Sequence, residues 1–271
     1  MKSVASRDNA AFKAMARLAA SGSERRKSGM SVLDGAHLLA AFLDSGRKPE
    51  EVMVNRAGLE DHEVAALVAR SAPARVTQLS DSLFKSLSTV DSPTGVIAAV
   101  RTPLGKAPPP DASLVLLLED IQDPGNVGTL LRSAAAAGAK HVLLSPGCAF
   151  AWSPKVLRAA MGAHFELDIA EGADPAAWVA KYRGASVALA SRAESSLYDL
   201  DLKGSTAFLV GNEGAGLSPA LQSAAKVRAR IPMPGRVESI NAATAGSIAL
   251  FEAVRQRQVQ GTRYEVRGKK T

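Results

Sequence analysis

The chain has 271 residues, 46% hydrophobic and 22% charged, a balance that sets aside a disordered or fibrous protein and leaves room for two folded domains. Aromatic residues are only 4%, which argues against base recognition by rows of stacking platforms, and no run nears the ~18 apolar residues of a membrane span. A net charge of +7, shared by both halves, points to an acidic partner, most simply nucleic acid.

Cys148 is the only cysteine, so no intrachain disulfide forms. His37, His62, His141 and His164 are scattered without ligand spacing, and no metal site is expected. The opening "MKSVASRDNAAFKAM" lacks the apolar stretch of a signal peptide, so a cytoplasmic protein is expected.

In chain order, Asn9 to Ala20 carries apolar residues at helical spacing (Phe12, Met15, Leu18, Ala19). "SGSERRKSGMS" supplies a basic turn, with Arg25, Arg26 and Lys27 suited to phosphates. "VLDGAHLLAAFLDSG" reads as a helix ended by Gly46, and "EVMVN" as a short strand. The helix "DHEVAALVARSA", the strand "ARVTQLS", the helix "DSLFKSLS" with Asp81 near its cap and the strand "GVIAAV" complete a small α/β domain. "RTPLGKAPPPDAS" has four prolines and no periodicity, which marks a stiff spacer between domains. The expected limits are 1–104 for the first domain, 105–112 for the linker, 113–260 for the second domain and 261–271 for a basic tail.

Beyond the spacer, strands and helices alternate. "SLVLLLE" is a continuous apolar run, as in a strand buried on both faces. It is followed by the helix "NVGTLLRSAAAAG", the strand "KHVLLS", the helix "SPKVLRAAMGA", the strand "HFELDI" and the helix "DPAAWVAKYRG". Two strands, "ASVALAS" and "STAFLVG", precede the helix "SPALQSAA", the strand "KVRARIPM" and a long helix from Ile240. This repetition predicts a parallel sheet covered by helices, and the fold class is α/β.

In such a sheet ligands collect where strands end and helices begin. Three junctions hold unusual residues. "LEDIQDPGNVGTLLRSAAAAGA" places Asn126 at the start of a helix, where it could serve only as a cap, and Arg132 six positions on, where burial would demand an anion. "FLVGNEGAGLS" spaces glycines at 211, 214 and 216, which is neither the dinucleotide fingerprint nor a P-loop, and carries Glu213 where a phosphate would be repelled. "IPMPGRVESINAATAGSIALFEAVRQR" gathers Glu238, Ser239 and Asn241 before an apolar-faced helix.

Taken in order, N-x5-R, "VGNEGAGLS" and "IPMPGRVESINAATA" resemble the motifs of the SpoU/TrmH family of RNA ribose 2′-O-methyltransferases, in the SPOUT superfamily. "SERRKSGMSVLDGAHLLAAFLDSG" and "LSDSLFKSLSTVDSPTGVIAAV" resemble the small L30e-like substrate-binding domain that precedes many such catalytic domains. Ile240 and Ala242 stand where Leu and Val are frequent in the third motif, and Asp34 where Glu is common in the first domain.

The resemblance implies a SPOUT domain with a deep trefoil knot and S-adenosylmethionine as cofactor. Leu209, Val210, Gly211, Gly216, Ile231, Met233 and Ile240 would hold it. It implies Asn126, Arg132, Glu213, Ser239 and Asn241 as the catalytic set, with Arg132 either activating the ribose hydroxyl as a base or clamping the target phosphate. A guanidinium resists deprotonation, which is the difficulty with the first role. It further implies RNA as the partner, ribosomal RNA ahead of transfer RNA, gripped through Arg25, Arg26 and Lys27, and a homodimer. Two other readings stand beside it: a non-catalytic RNA-binding or assembly protein of the same fold, and a nucleotide-dependent oxidoreductase, for which the glycine spacing is wrong.

Overall fold

The structure is a computed structural model and describes residues 1–90 and 92–258; the basic tail expected over 261–271 lies outside them. The elements begin with β1 (Lys2–Val4), α1 (Ala10–Ala20), α2 (Gly22–Ser28), β2 (Met30–Asp34), α3 (Ala36–Asp44) and β3 (Glu51–Val54). They continue with α4 (Arg56–Glu60), α5 (His62–Arg70), β4 (Arg75–Leu79), α6 (Asp81–Leu87) and β5 (Val96–Arg101). The second half contains β6 (Leu114–Leu118), α7 (Pro124–Ala136), β7 (His141–Leu144), α8 (Pro154–Ala160), β8 (Asp168–Glu171) and α9 (Pro175–Val179). It ends with β9 (Ala185–Leu189), β10 (Ser195–Ser196), β11 (Thr206–Val210), α10 (Pro219–Ala224), β12 (Val227–Arg230) and α11 (Ala242–Gln258).

Two compact units result. The first comprises Met1–Leu104 together with Ala149–Glu166, and the second Gly105–Cys148 and the chain from Leu167. The stretch around α8, expected inside the second domain, therefore groups with the first.

The first unit is built on a five-stranded sheet of order β1-β4-β3-β5-β2, with β1, β4 and β3 parallel and β5 antiparallel to both neighbours. Its core joins Val32, Met53, Leu79 and Ile97 from the sheet to Phe12, Met15 and Phe84 from helices. Two local expectations fail here. "VLDGAHLL" is not one helix: Val32 to Asp34 belong to β2, and Gly35, at φ 109°, turns the chain into α3. A positive φ of that size is open to glycine and closed to most residues, so the break is built into the sequence. The basic turn is likewise a helix, α2, capped by Ser21 and ended by Gly29 in the left-handed conformation.

That change decides the role of Arg25. Its side chain is buried, and its guanidinium donates to the carbonyls of Leu18 (2.5 Å) and Ala19 (3.0 Å) at the end of α1. Arg25 thus satisfies carbonyls that a helix end leaves without partners, instead of facing a phosphate. Arg26 lies over the Phe150 ring at 4.2 Å, and Lys27 is exposed.

His164 is fully buried beside Trp152 and Phe165, with Nε2 donating to the Ala151 carbonyl (2.7 Å) and Nδ1 left without a partner. Protonating Nδ1 would bury an unpaired charge, and burial pulls the imidazole down to about 4. The unfolded chain takes up that proton near pH 6.5, so stability is whole above pH 6.5 and falls as pH drops toward 4. The expected loss is about 3 kcal/mol by pH 4, at ~1.4 kcal/mol per pH unit. Urea midpoints of the wild type should fall across that interval more steeply than those of His164→Gln; parallel curves would assign the acid sensitivity elsewhere.

The second unit carries a seven-stranded, wholly parallel sheet of order β10-β12-β9-β11-β6-β7-β8. β6 and β11 lie at its centre with every residue buried, as their unbroken apolar runs require. "HFELDI" shortens to β8, since Ala163–Phe165 form a 3-10 turn. The proline-rich spacer is not free. The carbonyls of Pro108, Pro110 and Ala112 accept from Trp178 Nε1, the Arg183 N–H and the Tyr182 hydroxyl at 2.7–2.8 Å. Burial pushes that hydroxyl up to about 12, so it stays a donor. Among the described residues no helix is long and apolar enough to cross a membrane.

Candidate active site

The three junctions noted in the sequence lie after the C-terminal ends of β6, β11 and β12, within the second unit. α7 begins with Pro124 in its first turn and with Asp123 as its cap, whose carboxylate accepts from the Asn126 N–H at 2.8 Å. Asn126 is therefore not the cap, and its side chain is available for other work. Its Nδ2 donates to Glu213 Oε1 at 2.5 Å, and its Oδ1 accepts from Asn241 Nδ2 at 2.9 Å. Asn241 Oδ1 in turn accepts from the N–H groups of Ala243 (2.8 Å) and Thr244 (3.1 Å) at the start of α11. One side chain from each junction thus joins a single chain of hydrogen bonds, and both asparagine amides use both ends.

Packing of α11 on α7 makes this possible. A Cβ on Gly246 would lie 2.4 Å from Leu130 Cδ2, so any larger residue would have to push the buried Leu130 side chain aside, and Ser133 and Ser247 meet through their hydroxyls at 2.7 Å.

The glycine loop is equally determined. Gly211 follows β11 so closely under the loop's return that a Cβ would sit 2.4 Å from both Gly216 C and Leu217 N. Asn212 Oδ1 accepts from the N–H groups of Gly214 and Ala215, and its Nδ2 donates to the Asp120 carbonyl at 2.9 Å. Ser218 donates through both its N–H and its hydroxyl to the Glu119 carboxylate, each at 2.7 Å. Glu119, Asp120, Asn212 and Ser218 were not singled out in the sequence. The signal for the first two was a pair of acids, "ED", closing an apolar strand at its ligand-bearing end.

Leu209 and Val210 are buried at the end of β11, aligned with Leu117 and Leu118 of β6, and the Val210 carbonyl accepts from the Glu119 N–H. That carbonyl is already in use. From Ile231 to Ile240 the position is reversed, since no backbone group there forms a hydrogen bond with the described residues. Ile231, Met233 and Ile240 are half-buried, and Glu238 and Ser239 are exposed without a polar partner among the described residues. Ser239 is adjacent to the hydrogen-bonded chain in sequence but does not join it. Arg132 lies on α7 about 9 Å along the axis from Asn126. It is exposed and forms no hydrogen bond or ion pair with the described residues. The premise that it is buried and needs an anion does not hold; a free, exposed guanidinium replaces it.

These features fit S-adenosylmethionine. A stretch of unpaired backbone donors and acceptors flanked by half-buried apolar side chains suits a purine and ribose, because unpaired backbone groups seek partners. The Glu213 carboxylate suits a cationic cofactor and would oppose a phosphate.

Comparison with known proteins agrees. Residues 113–251 match the model of the SpoU rRNA Methylase family, and residues 9–98 that of the MRM3-like substrate binding domain. An uncharacterized tRNA/rRNA methyltransferase of Synechocystis sp. is 33% identical over 244 residues, 88% of each chain. The 23S rRNA (guanosine(2553)-2'-O)-methyltransferase RlmP of Bacillus subtilis is 30% identical over 231 residues, 84% of this chain and 90% of that one. Among solved structures, the AdoMet-bound rRNA methyltransferase from Sinorhizobium meliloti superposes with a TM-score of 0.82 at 30% identity, over 94% of this chain and 97% of that one.

Proposed function

Because this chain belongs to the SpoU rRNA methylase family, we propose that it transfers a methyl group to a ribose 2′-hydroxyl of ribosomal RNA, with the residues of its three junctions dividing the work. The observation that carries the assignment of roles is the chain of hydrogen bonds from Glu213 through Asn126 to Asn241, which ties one side chain from each junction into one site.

S-adenosylmethionine supplies an activated methyl group on a sulfonium. The protein's own residues supply the rest. Gly211, Gly216, Ile231, Met233 and Ile240 would hold the cofactor, chiefly through the backbone, with Leu209 and Val210 buried beneath them. Glu213, held by Asn126, would supply a negative charge suited to a cationic cofactor, and Asn241 fixes the start of α11 against Asn126. Arg132 is free to take a phosphate of the target nucleotide bidentately and to stabilise the alkoxide that develops as the hydroxyl loses its proton to phosphate or solvent. Ser239 is two residues from Asn241 and exposed, open to the incoming ribose.

In the first unit Arg26 and Lys27 remain as candidates for phosphate contact, while Arg25 serves α1. The proposal includes a homodimer, supported by the exposure of Phe251 on α11, and the trefoil knot, with α11 as the tucked segment after β12. Mapping ribose methylation across ribosomal and transfer RNA, with and without the protein, tests the function. A 2′-O-methyl group gained in ribosomal RNA is expected; one confined to transfer RNA would replace the substrate, and none in either would remove the activity.

A further inference from the structure

The two acids that close β6 hold both ends of the glycine loop. At the near end, the Glu119 N–H donates to the Val210 carbonyl (2.9 Å) and the Asp120 carbonyl accepts from Asn212 Nδ2 (2.9 Å). At the far end, Glu119 Oε2 and Oε1 accept from the Ser218 N–H and hydroxyl. Between them the loop is closed on itself, with the Gly216 N–H donating to the Asn212 carbonyl and the Gly214 and Ala215 N–H groups to Asn212 Oδ1. At the tip of the loop the Glu213 side chain reaches out to Asn126.

Asp120 is held with unusual firmness. Its φ of 55° is uncommon outside glycine, and the residue is fixed there because its N–H donates to Ser145 Oγ (2.9 Å) while the Ser145 hydroxyl donates to its carboxylate (2.5 Å). Backbone held in such a region and over-determined by its surroundings is a feature of sites where geometry matters.

We propose that Glu119 is a positioning residue for cofactor binding: its carboxylate latches the far end of the 211–218 loop, and the latch presets the loop that receives S-adenosylmethionine. The inference rests on the methyltransferase reading above. With the latch gone, the far end of the loop keeps the buried Leu217 side chain and the bond from Gln222 Nε2 to the Leu217 carbonyl, but Ser218 loses its anchor on β6 and part of the binding energy goes into ordering the loop. The carboxylate matters as an acceptor of two hydrogen bonds, so an amide in its place restores one of them.

The test uses the full chain as wild type, Glu119→Ala, Glu119→Gln and Ser218→Ala, the last keeping the backbone bond and losing the hydroxyl. Amide hydrogen exchange without cofactor reads the latch itself, and calorimetry with S-adenosylmethionine reads its consequence. In Glu119→Ala the amides of Gly214 to Ser218 should exchange faster and the cofactor Kd should rise about tenfold or more, the worth of a charge-assisted hydrogen bond. Glu119→Gln and Ser218→Ala should fall between it and the wild type. In steady-state kinetics the KM for S-adenosylmethionine should rise far more than kcat falls. A loosened loop with unchanged cofactor affinity would overturn the proposal, as would a loss confined to kcat or to thermal stability. A wild type that binds no S-adenosylmethionine would overturn the methyltransferase reading, while exchange in the cofactor-free variants would still report the latch.

Discussion

Arg132→Ala is expected to reduce methyl transfer by roughly a hundred- to a thousandfold, the usual cost of removing one preorganised group that meets developing charge. The protein should otherwise be intact. Arg132 is exposed on α7 and forms no hydrogen bond or ion pair with the described residues, so its removal leaves no orphaned partner, and stability should change by no more than about 0.5 kcal/mol. Cofactor affinity should stay near that of the wild type, because the proposed seat lies on β11, the 211–218 loop and the 231–240 segment and does not include α7. Arg132→Lys separates charge from geometry. It keeps the cation and loses the planar fork, so partial activity would mean that charge carries most of the effect, and none that bidentate contact is required. Single-turnover rates at saturating cofactor, with melting curves on the same samples, provide the measurement. A large fall in Tm, or a rate within a few-fold of wild type, would remove Arg132 from the chemistry.

The same residue shows where sequence reasoning was sound and where it was not. The position of Arg132 on the first helix of the catalytic unit was legible from "TLLRSAAAAG", but its burial was not: a helix of small residues lets a long side chain point outward as easily as inward. The strands β6, β9 and β11 were plain because a central parallel strand must be apolar on both faces, which leaves a run that no other element requires at that length. "VLDGAHLL" failed because five apolar residues around a glycine suit either a strand end or a helix, and only the φ of Gly35 decides. A capping role and a site role for Asn126 cannot be separated from the sequence, because Asn caps well; the structure separates them, since Asp123 lies three residues nearer the turn and wins the N–H. The latch between Glu119 and Ser218 spans 99 positions, and no local pattern reports a contact of that range.

Gly211→Ala is the other change with a large expected effect, and comparison with its neighbours shows why. Glycines at 211, 214 and 216 look alike in the sequence and are asked for different things. At Gly211 the φ is ordinary, but a Cβ would lie 2.4 Å from Gly216 C and Leu217 N. Both are backbone atoms of a loop held at Asn212 and Ser218, so neither side can give way cheaply. Overpacking of this kind costs about 1–3 kcal/mol, and more when backbone must move. At Gly216 the space is open and the φ of 71° is the constraint, worth about 1–2 kcal/mol for a residue with a side chain. At Gly214 the nearest atom is the Asn212 oxygen at 3.5 Å, an ordinary contact, and φ is not positive. The expected order of damage is therefore Gly211→Ala, then Gly216→Ala, then Gly214→Ala close to wild type, in both Tm and cofactor Kd. Gly211→Ala should weaken S-adenosylmethionine binding most, on the order of a hundredfold if the displaced loop forfeits about 3 kcal/mol, because lifting the loop also draws Glu213 away from Asn126. Calorimetry on the three variants measures the order directly. If Gly214→Ala were as harmful as Gly211→Ala, the loop would be constrained by the ligand at its tip and not by its own return across β11.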